Sequence, residues 1–432
     1  MTARVVIAGG GLAGLSLAVA LLDRDPSARV SVLEPRTAYA DDRTWCFWDV
    51  EPHPFRELIA QRWRSWRVAT AAGEAVAEDG RVPYARVRGG DVYARARERI
   101  AAAPNAELRL GVTVRRVAGD HVETETGEMI GAEVVCDGRP PDADALRAPG
   151  EPFLWQVFAG ARVQARPGTF APGTVDLMDF RVPQVGEIRF RYVLPADDAS
   201  AFVELTAFTP ALPEPGALEG ALGDAIAAIA GGGATIGARE QGAIPMTTAP
   251  APAPAAPGVI PIGTRAGAPR PSTGYAFLPI QRHAARLAER ILADAAAPLA
   301  TSAMRRRRIS LRASSRSISF VFGHDSEPGS FARLRRALAC RPGRSDLIMP
   351  MRGPGIRCLD RIFLNRLLAE PQAAPELFRR LAAGVPGDAL ARFLMERARP
   401  ADVVRVMAAL PVGAFAREAV RSTAPWPARA VG

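Results

Sequence analysis

The sequence predicts an α/β protein: a Rossmann-type unit at the N-terminus, a β-rich domain inserted into it, and a helical C-terminal part. Three observations carry this. Residues 4–34 read as strand, glycine turn, helix and strand. A second strand-and-glycine segment returns near residue 260 after a long β-patterned excursion. From residue 359 the apolar pattern turns helical, cut by Pro386, Pro400 and Pro411.

Residues 4–8 (RVVIA) are short and β-branched, as in a buried parallel strand. They run into Gly9-Gly10-Gly11-Leu12-Ala13-Gly14, where Gly9, Gly11 and Gly14 satisfy GxGxxG; residues 12–22 follow as a helix, residues 29–33 as a second strand, and Glu34 closes it. Gly9 permits the tight turn, Gly11 lets backbone approach a pyrophosphate, and Gly14 lets helix pack on strand. The helix N-terminus offers unpaired N–H groups to phosphate, and Glu34 is placed to accept both ribose hydroxyls of an adenosine. A lone glycine triplet is a weak sign. The complete series in register points to dinucleotide binding.

Residues 259–263 (VIPIG) form the second strand ending in glycine, followed by Gly267 and by residues 271–275 (PSTGY), which lead into a helix-like stretch over 280–297. Such a turn is a second place for backbone N–H groups to meet phosphate or flavin. A chain that returns to its first domain in this way suggests FAD bound by a discontinuous domain, with Gly9, Gly11, Gly14, Glu34, Asp137, Gly263, Gly267, Thr273 and Gly274 as the cofactor set; Asp137 alternatively only initiates a turn. The expected division is 1–147 and 248–300 for the two parts of the FAD domain, 148–247 for the β-rich substrate domain, 301–355 for an Arg-rich insertion and 356–432 for the helical region.

The formal charge is +10 and every basic residue is arginine. Fourteen arginines from 305 to 361, against Asp325, Glu327, Asp346 and Asp360, account for the whole excess. That stretch is read as a solvated, disordered or poorly packed insertion, or as a contact with an anionic membrane. Its aromatics do not interleave with the arginines in a recognisable module, so no nucleic-acid partner is expected. Cys46, Cys136, Cys340 and Cys358 form no CxxC pair and the four histidines are scattered, so no disulfide framework or metal site is expected and a reducing cytoplasm fits best. The uncharged runs 5–22 and 241–264 are broken by glycines and by prolines, which predicts a soluble or peripheral protein.

Further blocks carry a family resemblance: 42–48 (DRTWCFW), 137–139 (DGR), 155–160 (WQVFAG), 177–180 (LMDF), 190–195 (FRYVLP), 203–206 (VELT), 240–246 (EQGAIPM), 271–277 (PSTGYAF), 359–364 (LDRIFL) and 391–394 (ARFL). Together with residues 9–14 they resemble, in order and over nearly the full length, the lycopene β-cyclases of bacterial carotenoid pathways. The resemblance implies a flavin-hydroxylase-like fold holding reduced FAD, with NAD(P)H as electron source, and a cyclisation of lycopene ends without net redox change. A proton adds at C2, the C5=C6 alkene attacks the C1 cation, and loss of the C6 proton leaves a β-ring. It also implies a peripheral location on the cytoplasmic face of the membrane, where lycopene resides.

Such chemistry needs an acid and a dry apolar tunnel. Glu204, on an apolar strand, is the leading acid–base residue; alternation alone equally allows it to face solvent. Asp179 and Glu240 are secondary acid candidates, the bland alternatives being an ion pair with Arg181 or Arg191 and a turn cap. Trp45, Phe47, Trp48, Tyr275 and Phe277 are candidates for the tunnel, or else ordinary core. Rival functions on the same fold are a monooxygenase and a prenyl reductase, although Gly263-Thr264 departs from the Gly-Asp usual in hydroxylases. A non-catalytic carotenoid or lipid carrier retaining FAD is a rival of another class.

Overall fold

The computed structural model describes residues 4–78, 81–310 (backbone only over 296–310), 349 and 352–411, with Gly413, Phe415 and Glu418. A five-stranded parallel sheet runs Val259–Pro261, Val134–Asp137, Arg4–Ala8, Arg29–Glu34 and Ala106–Leu110. Its inner strands are buried apart from Arg4 and Arg29, as expected where both faces of a parallel sheet are covered, while the edge strand Ala106–Leu110 is partly exposed. The pairing of Val259–Pro261 with Val134–Asp137 joins segments from either side of the excursion, so the chain does return to its first sheet. On one face the helix Leu12–Arg24 packs between the helices Gly89–Ala101 and Phe277–Ser310, pinned by a buried hydrogen bond of 2.9 Å from Gln281 Nε2 to Ser16 Oγ.

The second layer is a seven-stranded sheet in the order Thr235–Thr247, Phe153–Gln164, Ser200–Thr209, Ile188–Pro195, Thr174–Asp179, Ser65–Thr70 and Gly73–Glu78. Here the expected division shifts: residues 65–78, assigned to the first FAD part, complete the large sheet by pairing parallel to Thr174–Asp179. Alternation identifies a strand but not the sheet it will join. One face of this sheet packs beneath the helix Glu219–Ala230, against Leu222 and Ile226. The other faces the C-terminal helices Pro354–Ala369, Ala374–Gly384, Gly387–Leu394 and Pro400–Ala409. A small antiparallel sheet, Thr44–Trp48, Tyr84–Arg88 and Ile59–Trp63, supplies further aromatic side chains to that same core.

Most of the expected Arg-rich insertion lies outside the described residues. At its ends the helix Phe277–Ser310 runs past residue 300, and Arg352 donates to the carbonyls of Gly267 (3.1 Å) and Ala268 (2.9 Å), so the packed structure resumes before residue 356. Among the described residues no helix is long and apolar enough to cross a membrane, and no His, Cys, Asp and Glu side chains cluster to hold a metal ion.

Candidate active site

The glycine turn leaves open space at the N-terminus of the first helix. Gly9 has φ +102° and its N–H reaches the Leu33 carbonyl at 2.8 Å. A Cβ on Gly14 would collide with the Gly9 carbonyl, whereas one on Gly11 would meet nothing within 4 Å. The space beside Gly11 is therefore free, next to a helix with no side-chain cap and no acid in its first turn. These features fit an anionic dinucleotide. Glu34 is 4% exposed; its Oε2 accepts the Gly10 N–H at 2.7 Å and its Oε1 accepts Arg36 Nε at 2.7 Å, so it also braces the turn. Gly263 (φ +63°) packs against Ala13, and Gly267 (φ +76°) ends a short 3-10 turn. Asp137 is fully buried and engaged by Arg139 Nε at 2.8 Å and Nη2 at 2.9 Å, with Arg265 at 3.4 Å, which makes it a brace beneath this turn.

The second centre lies on the seven-stranded sheet. Strand register places Glu204 opposite Tyr192 on one side and Gly160 on the other, and Gly160 opposite Glu240. The two glutamates thus share one face, two strand spacings or roughly 10 Å apart at the backbone, with a glycine as the residue between them. The Phe202 ring occupies the position a Gly160 Cβ would take. Glu204 Oε1 accepts the Thr206 hydroxyl at 2.7 Å. Burial, reinforced by the Glu240 charge, pushes the Glu204 pKa up to about 8, the value of an acid that keeps its proton at neutrality. Burial also raises the Glu240 pKa, against the Thr44 hydroxyl (2.9 Å) and N–H (3.2 Å) that donate to it.

Asp179 is a correction. It pairs with Arg191, which pairs with Leu205, so it lies on the opposite face of the sheet from Glu204. There it is fully buried and accepts from Arg191 Nη2 at 2.7 Å and Arg181 Nε at 2.8 Å, and its pKa is lowered against burial by these guanidinium donors. Its surroundings are those of the ion pair with Arg181 and Arg191 that the sequence left open as the alternative.

Between the sheet and the C-terminal helices is an apolar cavity. Trp48, Trp66, Tyr192, Phe208, Tyr275 and Phe393 are among the aromatic residues that line it. Tyr192, opposite Glu204 in the strand register, lines the cavity, as does Tyr275, whose hydroxyl feels the Glu204 charge; Glu204 is not itself on the wall. Of the five aromatics expected in a tunnel, Trp48 and Tyr275 line this cavity. Phe47 and Phe277 instead stack on each other, 4.5 Å apart and 3° from parallel, and Trp45 packs edge-on to Tyr93. Strand alternation explains the split, since residues 45 and 47 face away from residues 46 and 48. Thr273 lies on the wall, and Gly274 (φ +71°) approaches Gln156 so closely that a Cβ would strike Gln156 Oε1.

Sequence reasoning missed Gln156, Tyr192, Arg270 and Asp360. Arg270 and Asp360 form an ion pair at 3.1 Å, each 1% exposed, that joins the second glycine segment to the helix Pro354–Ala369. An arginine inside an otherwise apolar glycine- and proline-rich turn was the available signal.

The lycopene cyclase protein family matches this chain over residues 4–420. Lycopene beta-cyclase of Paracoccus sp. (strain N81106 / MBIC 01143) is 28% identical over 324 residues, covering 71% of this chain and 77% of that protein. The same-named protein of Pseudescherichia vulneris is 28% identical over 285 residues, covering 63% and 70%. Among solved structures, a geranylgeranyl bacteriochlorophyll reductase-like protein from Thermoplasma acidophilum aligns with TM-score 0.57 at 11% identity over 96% of this chain and 98% of its own. The flavin-dependent brominase Bmp2 aligns with TM-score 0.53 at 13% identity over 97% and 100%. The fold is thus one on which flavin-dependent enzymes are built.

Proposed function

The chain belongs to the lycopene cyclase protein family, and from that premise we propose that it is a lycopene β-cyclase, closing the linear ends of lycopene into β-rings. The observation that carries the reading is Glu204: a half-buried carboxyl whose pKa is pushed up to about 8, beside the tyrosines of an aromatic, apolar cavity. Glu204 delivers the proton that generates the C1 cation. The aromatic walls exclude the water that would trap that cation and stabilise it through their π faces. Glu240, clamped by Thr44, keeps a second carboxyl near the acid and helps hold its proton on.

FAD is the cofactor in this reading, held by Gly9, Gly11, Gly14 and Gly263 with Glu34 beside the ribose; in its reduced form it supplies a stabilising negative charge, and NAD(P)H is the electron source. Lycopene reaches the enzyme from the membrane, with the protein bound peripherally at the cytoplasmic face. The test is co-expression with a lycopene-producing pathway and pigment analysis, repeated with purified protein, FAD and NADPH without oxygen. β-Rings are expected in both. Oxygen-dependent hydroxylation, or a saturated prenyl chain, would place the protein with the monooxygenases or reductases instead.

A further inference from the structure

The cavity wall contains one carboxylate among the described residues, and it is Asp360 rather than Glu204. Its two oxygens are treated very differently. Oδ1 accepts from Arg270 Nε at 3.2 Å, Arg270 Nη2 at 3.1 Å and the Ser272 hydroxyl at 2.6 Å. Oδ2 is buried and has no hydrogen-bond partner. Arg270 is fixed in turn by the Phe393 carbonyl and lies over the Phe393 ring, 4.5 Å from its centroid. The pair is therefore a rigid dipole whose cation is consumed by the protein and whose free oxygen belongs to a cavity residue. Leaving a buried carboxylate oxygen unpartnered is costly, so its retention calls for a use.

The structure assigns Asp360 as the counter-charge for the carbocation: its free oxygen offsets the positive charge that appears on the polyene between protonation and ring closure. This rests on the cyclisation reading above and deepens it. No bond is made to Asp360, and the proton still comes from Glu204. A preorganised dipole of this kind acts on the transition state because the charge it meets is absent from the neutral hydrocarbon. Its removal lowers kcat and leaves KM for lycopene unchanged. A hydrocarbon ground state has nothing to gain from the charge.

The direct variant, Asp360→Asn, leaves Arg270 buried without its counter-ion and risks misfolding. The decisive variant is therefore the doubly neutral Arg270→Gln/Asp360→Asn, compared with wild type as full-length protein with FAD and NADPH, lycopene being supplied in liposomes. Thermal unfolding and flavin absorbance report the fold. Product analysis reports kcat and KM separately. The assignment expects a native melting profile, bound flavin, unchanged KM and a kcat reduced by about 100-fold or more. If the pair only clamps the helices to the glycine segment, the neutral pair will turn over at nearly the wild-type rate, and the assignment is overturned. Loss of fold in the double variant passes the question to Asp360→Glu, which retains the charge. Partial recovery of kcat there, absent from Asp360→Asn at equal flavin content, supports the counter-charge, and equal kcat in the two overturns it. A wild type that forms no rings removes the cyclisation reading itself, separately from any difference among the variants.

Discussion

Replacing Glu204 by Gln makes a prediction in two currencies, stability and turnover, from one displaced pKa. In the folded chain Glu204 keeps its proton to about pH 8, whereas an ordinary glutamate loses it near 4.5. Between those values the folded state binds a proton that the unfolded state does not, so stability falls as pH rises through this window and is level on either side. At about 1.4 kcal/mol per pH decade the upper bound is roughly 5 kcal/mol. Glu240 titrates in the same direction, so the quantity to measure is the difference between wild type and Glu204→Gln. Urea unfolding across the window should show the wild type losing stability relative to the variant by a few kcal/mol. Turnover, which needs the protonated acid, should fall in the wild type as pH rises through about 8 and be abolished in the variant at every pH, with FAD still bound. Parallel stability curves, or a variant that still forms rings, would remove Glu204 as the donor.

Gly14→Ala should prevent flavin binding by forcing helix from strand, whereas Gly11→Ala should fold normally and lose dinucleotide affinity, because its Cβ meets only open space; circular dichroism with flavin titration separates the two. Asp179→Asn should cost about 3–5 kcal/mol by stranding Arg191; native stability with lost cyclisation would return Asp179 to the chemistry. Phe47→Ala, deleting a 1%-exposed ring stacked on Phe277, should cost about 3–5 kcal/mol in unfolding experiments without altering the pigments formed per folded molecule.

The strand–turn–helix–strand unit was legible in the sequence because its parts are local: strand, three glycines, helix and Glu34 fall within residues 4–34. The Glu204 strand was legible too, but its facing was not. That depends on pairing with Gly160, on a strand more distant in the chain, as well as with Tyr192 across the adjoining hairpin. The same limit applies to Asp179, which shares a sheet with Glu204 yet faces the other way after a bulge between Asp176 and Asp179. Asp360 was read only as part of a resemblance block and of a charge count. Its chemistry arises where a helix meets Arg270 across 90 positions of sequence. The Arg-rich stretch stood out in composition precedence, but composition gives no partner for Arg352, which joins the carbonyls of Gly267 and Ala268.

The cavity has a history as well as a shape. One wall comes from strands finished by residue 209, but Leu359, Phe363, Phe378, Leu390, Met407 and Phe415 of the opposite wall come from the last part of the chain to be synthesised. A growing chain can therefore complete its parallel sheet and bury Val5–Ala8 before the apolar cavity exists. Until those helices dock, the aromatic face of the large sheet is open to solvent. A truncation before residue 359 would leave the cradle whole and the chamber without its far wall, so flavin content alone is a poor sign that this protein is complete.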